Sequence, residues 1–154
     1  MRPLKKILLA EDDLKDVELT INALSDHNLA NEVLVVRDGA DALDYLYRRG
    51  DFADEPEGNP VVILLDLKMP KVDGIQVLRQ IKNDKTLQMI PVVILTSSRE
   101  AKDLESCYEL GVNAYVVKPV KFAEFVEAVG QIGVFWALIN EPPPGSISAE
   151  RAGH

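Results

Sequence analysis

The sequence predicts an α/β fold: five βα units, (βα)5, wound as a doubly wound sandwich around a five-stranded parallel sheet. Two observations carry that prediction. Five short runs of Val, Ile, Leu and Ala recur along the 154 residues. Each is unbroken rather than alternating, as a strand buried on both faces requires. Behind each run lies a segment with apolar residues at helical spacing, and strands alternating with helices build parallel sheets.

The strands are "KILLA" (6–10), "EVLVV" (32–36), "VVILL" (61–65), "PVVIL" (91–95) and "AYVV" (114–117). The first helix carries the stripe Leu14, Val17, Ile21 and Leu24, and the second a shorter one of Leu43, Leu46 and Tyr47. Ile75, Leu78 and Ile81 mark the third; Ala101, Leu104 and Tyr108 mark the fourth. Phe122, Phe125, Val126, Val129, Ile132 and Trp136 mark the last. Asp38-Gly39 is suited to start the second helix, Gly50 to end it, and Gly111-Val-Asn to end the fourth. "RRGDFADEPEGNP" (48–60) reads as a long, acidic, exposed loop. The division expected is one domain over 1–140 followed by a Pro-rich tail, 141–154, whose three consecutive prolines cannot continue a helix. No second, output domain fits after it.

Composition narrows the function classes. The chain is 47% hydrophobic and 27% charged, an ordinary soluble globular composition. A formal net charge of -8 without any Lys/Arg-rich run argues against nucleic acid as a partner. The apolar "ILLA" near the N-terminus is too short for a signal peptide, and nothing approaches a membrane span. Cys107, the single cysteine, excludes an internal disulfide and fits a reducing compartment, most simply the cytoplasm. Neither a Walker A nor a G-x-G-x-x-G sequence occurs, and His27 and His154 do not suggest a zinc site.

The chemistry stands where the strands end. Glu11, Asp12 and Asp13 follow the first run, Asp66 the third, Thr96-Ser97-Ser98 the fourth and Lys118-Pro119 the fifth. In a parallel sheet these endings share one edge, at the crevice where such folds bind ligands. Two carboxylates about 4 Å apart repel by roughly 4 kcal/mol at an effective dielectric near 20. A set of acids from two strands therefore calls for a cation among them. With only oxygen ligands on offer, the cation is a hard one such as Mg²⁺. Lys118 adds a second positive charge, and a carboxylate so placed is equipped to attack phosphorus. Taken singly, each residue has a plainer role: Asp66 a turn, Ser98 an N-cap, Glu11-Asp12-Asp13 favourable charge at a helix start, Lys118 a solvated lysine. Four fitting residue types at four strand ends favour the chemical reading.

With these residues in view, the sequence closely resembles the receiver domain of two-component response regulators. "LLAEDD", "LLDLKMPKVDG", "VVILTSS" and "AYVVKP" stand in that family's order and spacing over about residues 4–139. The resemblance implies a flavodoxin-like sheet of strand order 2-1-3-4-5. It makes Asp66 the phosphoacceptor and Glu11 and Asp12 the acidic pair around Mg²⁺, with the Lys68 backbone carbonyl as a further ligand. Asp13, one residue beyond the pair, belongs to the helix start. Thr96 becomes the switch hydroxyl, Lys118 the phosphoryl-contacting lysine, Tyr115 the aromatic that changes rotamer on activation, and Lys118-Pro119 a cis bond. The donor implied is a phosphohistidine on a sensor histidine kinase. More narrowly, loop 48–60, "KNDKTLQMIPVVILTSS" and "FWALINEPPPG" resemble stand-alone regulators paired with bacterial and cyanobacterial phytochrome kinases. Lys68 and Ser98 lie at positions that influence acyl-phosphate lifetime in related receivers.

Two other classes compete. An aspartate-nucleophile phosphatase of the haloacid-dehalogenase type also uses Asp, Thr/Ser, Lys and Mg²⁺, but needs a second acid two residues after its nucleophile. Lys68 occupies that position. A receiver-like module that no longer takes phosphate would not need the complete set of Glu11, Asp12, Asp66, Thr96 and Lys118. The expected protein is thus a phosphoacceptor rather than a turnover enzyme, signalling through a changed interaction surface. "VFWALI" (134–139) is apolar all round, which makes Phe135 and Trp136 candidates for a homodimer contact on the face of the fourth and fifth helices.

Overall fold

The structure, a computed structural model, describes residues 6–25, 33–55, 58–69, 71–96, 101–112 and 114–131. The elements alternate as expected: β1 (Ile7–Ala10), α1 (Leu14–Ser25), β2 (Val33–Val36), α2 (Gly39–Tyr47), β3 (Val62–Asp66), α3 (Gly74–Lys82), β4 (Val92–Thr96), α4 (Ala101–Glu109), β5 (Ala114–Val117) and α5 (Phe122–Gln131). The five strands form one parallel sheet of order β2-β1-β3-β4-β5. The order reverses between β1 and β3, so the crevice of the fold opens between the ends of those two strands.

Alternation along the strands divides the core into two layers. Leu8, Ala10, Ile63, Leu65 and Ile94 face α2, α3 and α4, where Tyr45, Leu46, Val77, Leu78, Ile81 and Cys107 are buried. Ile7, Leu9, Leu64, Val93 and Leu95 face α1 and α5, packing on Val17, Leu24, Phe125 and Ala128. Every residue of β1, β3 and β4 is buried, which is why those runs contain no solvent-facing alternation.

Several helix limits are set as the sequence suggests. Asp38 caps α2, its side chain accepting from the Asp41 backbone N–H. Asp73 caps α3 in a reciprocal capping box with Gln76. Gly111 follows α4 with φ 94°, a left-handed conformation that costs glycine nothing.

Three expectations require correction. α2 ends not at Gly50 but at Arg48, a left-handed C-cap (φ 53°) whose backbone N–H meets the Asp44 and Tyr45 carbonyls. Gly50 instead opens a short 3-10 turn, Gly50–Phe52, so loop 48–60 is not wholly irregular. That turn is pinned to the core: Phe52 meets the Tyr45 ring edge-on at 5.6 Å and the Arg48 guanidinium lies over it at 4.4 Å. Finally, Leu14 (65% exposed) and Tyr108 (51% exposed) stand outside the core although they lie on the apolar stripes of α1 and α4. Leu14 opens α1, and Tyr108 lies one residue from the end of α4, where its ring meets Tyr115 of β5. The expected contacts of Phe135 and Trp136, the hydroxyls of Ser97 and Ser98, and the tail 141–154 lie outside the described residues. Among the described residues, no helix is long and apolar enough to cross a membrane.

Candidate functional site

β1, β3, β4 and β5 bring their C-terminal ends to one edge. Asp66 is the last residue of β3, and the register pairs it with Leu95, which places Thr96 one step further along β4. The backbone N–H of Lys118 donates to the Thr96 carbonyl at 2.7 Å, fixing the root of the lysine beside β4. Likewise the Glu11 N–H donates to the Val36 carbonyl at 3.0 Å, so Glu11 prolongs the β1–β2 ladder and its side chain is directed by the sheet. Glu11, Asp66 and Thr96 are all buried. The Lys118-Pro119 peptide is cis.

Lys118 is the hub. Its Nζ donates to Glu11 Oε1 at 2.9 Å, Asp16 Oδ2 at 2.9 Å and Asp66 Oδ2 at 3.2 Å, which uses all three ammonium protons. Burial works against the charge on Lys118, but its hydrogen bonds to Glu11 and Asp16 and the nearby Asp66 charge outweigh it, holding the ammonium protonated well above the usual lysine range. Glu11 moves the other way. Its burial, then its proximity to Asp66, push its pKa up to about 7, and the contact with Lys118 only partly offsets them.

Beside this hub, carboxylate oxygens of Glu11, Asp12 and Asp66 lie within 4.8 Å of one another. Three acids so close, with two of them buried, form an all-oxygen donor set suited to a hard divalent cation. Asp13 does not join them. Its Oδ1 accepts from the backbone N–H of Lys15 at 2.8 Å and Asp16 at 3.2 Å, so it caps α1. The loop after β3 turns back over Asp66: Lys68 N–H donates to Asp66 Oδ1 at 3.3 Å, while the Lys68 side chain is exposed. Gly74 makes that turn possible, because a Cβ there would strike the Asp66 carbonyl and the Leu67 backbone. Tyr115 is partly exposed on β5, its ring edge-to-face with Tyr108 at 6.4 Å.

Two participants are new relative to the sequence reading. Asp16 reaches the hub from the first turn of α1. Arg37, just after β2, donates from Nη2 to the Asp12 carbonyl at 2.7 Å and steadies the acidic turn. The available signal for Asp16 was weak: an acid in a first helical turn, one turn beyond Asp12, ordinarily reads as a charge complementing the helix dipole.

An acidic pair, a strand-end Asp, a buried Thr and a Lys before a cis-proline, on a 2-1-3-4-5 sheet, define a receiver. The chain belongs to the response regulator receiver domain family, matching it over residues 7–130. Among curated proteins it is similar to the response regulator Rcp1 of Synechocystis sp., 39% identical over 134 residues that cover 87% of this chain and 90% of Rcp1. Among solved structures it resembles the bacteriophytochrome response regulator AtBRR, with 57% identity, a TM-score of 0.83 and coverage of 91% of this chain and 100% of AtBRR. A second bacteriophytochrome response regulator, RtBRR, is 61% identical with a TM-score of 0.81, covering 97% of this chain and 90% of RtBRR. Rcp1 has also been solved in an Mn²⁺-bound form, which superposes with a TM-score of 0.72 at 38% identity over 92% of this chain and 99% of that one. The protein is therefore a two-component signalling protein related to the phytochrome response regulators.

Proposed function

We propose that Asp66 is the phosphoacceptor and that this receiver takes its phosphoryl group from a phosphohistidine of a sensor histidine kinase of the phytochrome class. One observation carries the reading: the Lys118 ammonium stands 3.2 Å from Asp66 Oδ2, at the edge of a three-carboxylate cluster. A carboxylate oxygen of Asp66 attacks phosphorus, the new O–P bond forms as the N–P bond breaks, and the imidazole leaves with the electron pair and takes up a proton. Lys118 supplies positive charge to a phosphoryl oxygen as the transfer proceeds, and Thr96 supplies a hydroxyl to another. Glu11, Asp12, Asp66 and the Lys68 carbonyl would hold Mg²⁺, whose charge would neutralise the oxygens of the transferring group. The Mn²⁺-bound form of Rcp1 supports divalent-cation binding by a receiver of this kind. Similarity to AtBRR and RtBRR supports a bacteriophytochrome as the kinase.

The transfer is a signal rather than turnover. A phosphoryl group adds about two negative charges and three acceptor oxygens at Asp66. Thr96 moves toward it, Tyr115 turns from its exposed place beside Tyr108 into the space vacated, and the α4–β5–α5 face changes its partners. A homodimer through that face, with Phe135 and Trp136 at its contact, is the assembly that this output would regulate. A cytoplasmic location goes with this reading, and the single cysteine, Cys107, agrees with a reducing compartment. Incubation with Mg²⁺ and acetyl phosphate tests the acceptor. Intact mass rises by one phosphoryl group in the wild type and stays unchanged in Asp66→Asn; equal labelling of both proteins overturns the assignment.

A further inference from the structure

The geometry points to Asp16 as a positioning residue that aims Lys118 at the phosphoacceptor. The inference rests on the proposed role of Asp66 and Lys118 and extends it to a residue of α1 outside the three-carboxylate cluster.

An ammonium on a four-carbon stem is a flexible point charge, and its direction is set by what its protons meet. Here two acceptors at 2.9 Å, Glu11 and Asp16, and a third at 3.2 Å, Asp66, hold it from three sides. Only the longest contact points at the reacting carboxylate. The three acceptors differ in what they do when the site is loaded. Glu11 and Asp66 belong to the set of carboxylates that could hold a cation, and a cation bound there would compete with the lysine for their oxygens. On phosphorylation the Asp66 carboxylate becomes an acyl phosphate, and its negative charge passes to the phosphoryl oxygens further from its Cγ. Asp16 takes part in neither event. It is the one acceptor that Lys118 keeps throughout, leaving a proton free to follow the phosphoryl oxygen.

Asp16 is itself fixed. It sits in the first turn of α1, with its backbone N–H held by the Asp13 side chain at 3.2 Å, and its own side chain is 27% exposed against 9% for Lys118. Thus the anchor is charged, close and rooted in a capped helix, and part of it remains in water. An exposed carboxylate at this position would favour the helix dipole whether or not it met Lys118. The two roles separate experimentally, because the dipole effect does not need the lysine.

The test uses the full chain with four variants, Asp16→Ala, Asp16→Glu, Lys118→Met and the double variant Asp16→Ala/Lys118→Met. The rate of Asp66 labelling by acetyl phosphate at saturating Mg²⁺ is expected to fall about three- to tenfold in Asp16→Ala, less than the full worth of a charge-assisted hydrogen bond because Asp16 acts on the reaction only through the lysine. Asp16→Glu should recover part of that rate. In the Lys118→Met background the Asp16 substitution should change the rate by less than about twofold, since contacting residues act as a unit. A loss of the same size in that background means that Asp16 acts through helix stability and overturns the inference. So does an unchanged rate in Asp16→Ala.

A second readout does not depend on phosphoryl chemistry. The Lys118 ammonium should give a slowly exchanging ¹H–¹⁵N signal in the wild type that is lost to solvent exchange in Asp16→Ala and retained in Asp16→Glu. Retention in Asp16→Ala overturns the anchoring role whatever the labelling shows. If the wild type takes no label while the ammonium signal behaves as expected, the phosphoacceptor reading fails and the anchoring of Lys118 by Asp16 stands.

Discussion

Removing the negative charge of Asp66 should make the metal-free protein more stable, although it abolishes the proposed function. Oxygens of Asp66, Glu11 and Asp12 lie within 4.8 Å of one another. At that separation and an effective dielectric near 20, each fully charged pair costs about 3.5 kcal/mol. Two things reduce the relief. Glu11, with a pKa of about 7, carries only part of its charge near neutral pH, and Asp12 is partly exposed and screened. Against the relief stands the loss of a charge-assisted hydrogen bond from Lys118, about 1.5–3 kcal/mol. The balance for Asp66→Asn is a gain of about 1–2 kcal/mol, which for a chain of this length raises Tm by about 2–8 °C. Thermal unfolding at pH 7.5 in EDTA measures it. In saturating Mg²⁺ the difference should shrink or reverse, because the wild type binds the ion more tightly. An Asp66→Asn protein that melts at or below the wild type in EDTA would refute the claim that the carboxylates strain the empty site.

Three further outcomes follow from the same geometry. Glu11 has its folded pKa raised from 4.5 to about 7, so its contribution to metal-free stability is full below about pH 4.5 and lost as pH rises through 7. Mg²⁺ must displace that proton, so its apparent affinity by calorimetry should fall up to about tenfold per unit below pH 7, and Glu11→Gln should flatten the profile. Gly74→Ala forces a Cβ onto the Asp66 carbonyl and Leu67, so it should destabilise by about 1–3 kcal/mol in chemical denaturation and slow labelling of Asp66. Polar replacement of Phe135 and Trp136 should weaken self-association in sedimentation; an unchanged oligomer rules out that contact.

The sheet was legible because β1, β3 and β4 are buried on both faces, and nothing but continuous aliphatic sequence survives there. The strand-end residues were legible for the same reason: Asp66 and Glu11 are acids abutting runs that tolerate none. What the sequence concealed depends on neighbours distant along the chain. Asp16 and Lys118 are 102 positions apart, and Asp16 alone looks like any acid at a helix start. Leu14 and Tyr108 share stripes with core residues, but periodicity says which side chains lie on one face, not how completely each is covered. The end of α2 was misplaced because Arg48 adopts the left-handed cap that Gly50 suggested by type, and its neighbours Tyr45 and Gly58 hold it there.

The central claim is that one carboxylate, Asp66, carries the phosphoryl group. Borohydride reduction of the phosphorylated protein converts an aspartyl phosphate to homoserine, and peptide mass mapping locates it. The account predicts homoserine at position 66 alone, formed only when Mg²⁺ and a phosphoryl donor are both present. Homoserine at another acid, or a phosphate that resists reduction and remains on a hydroxyl or imidazole, would contradict it.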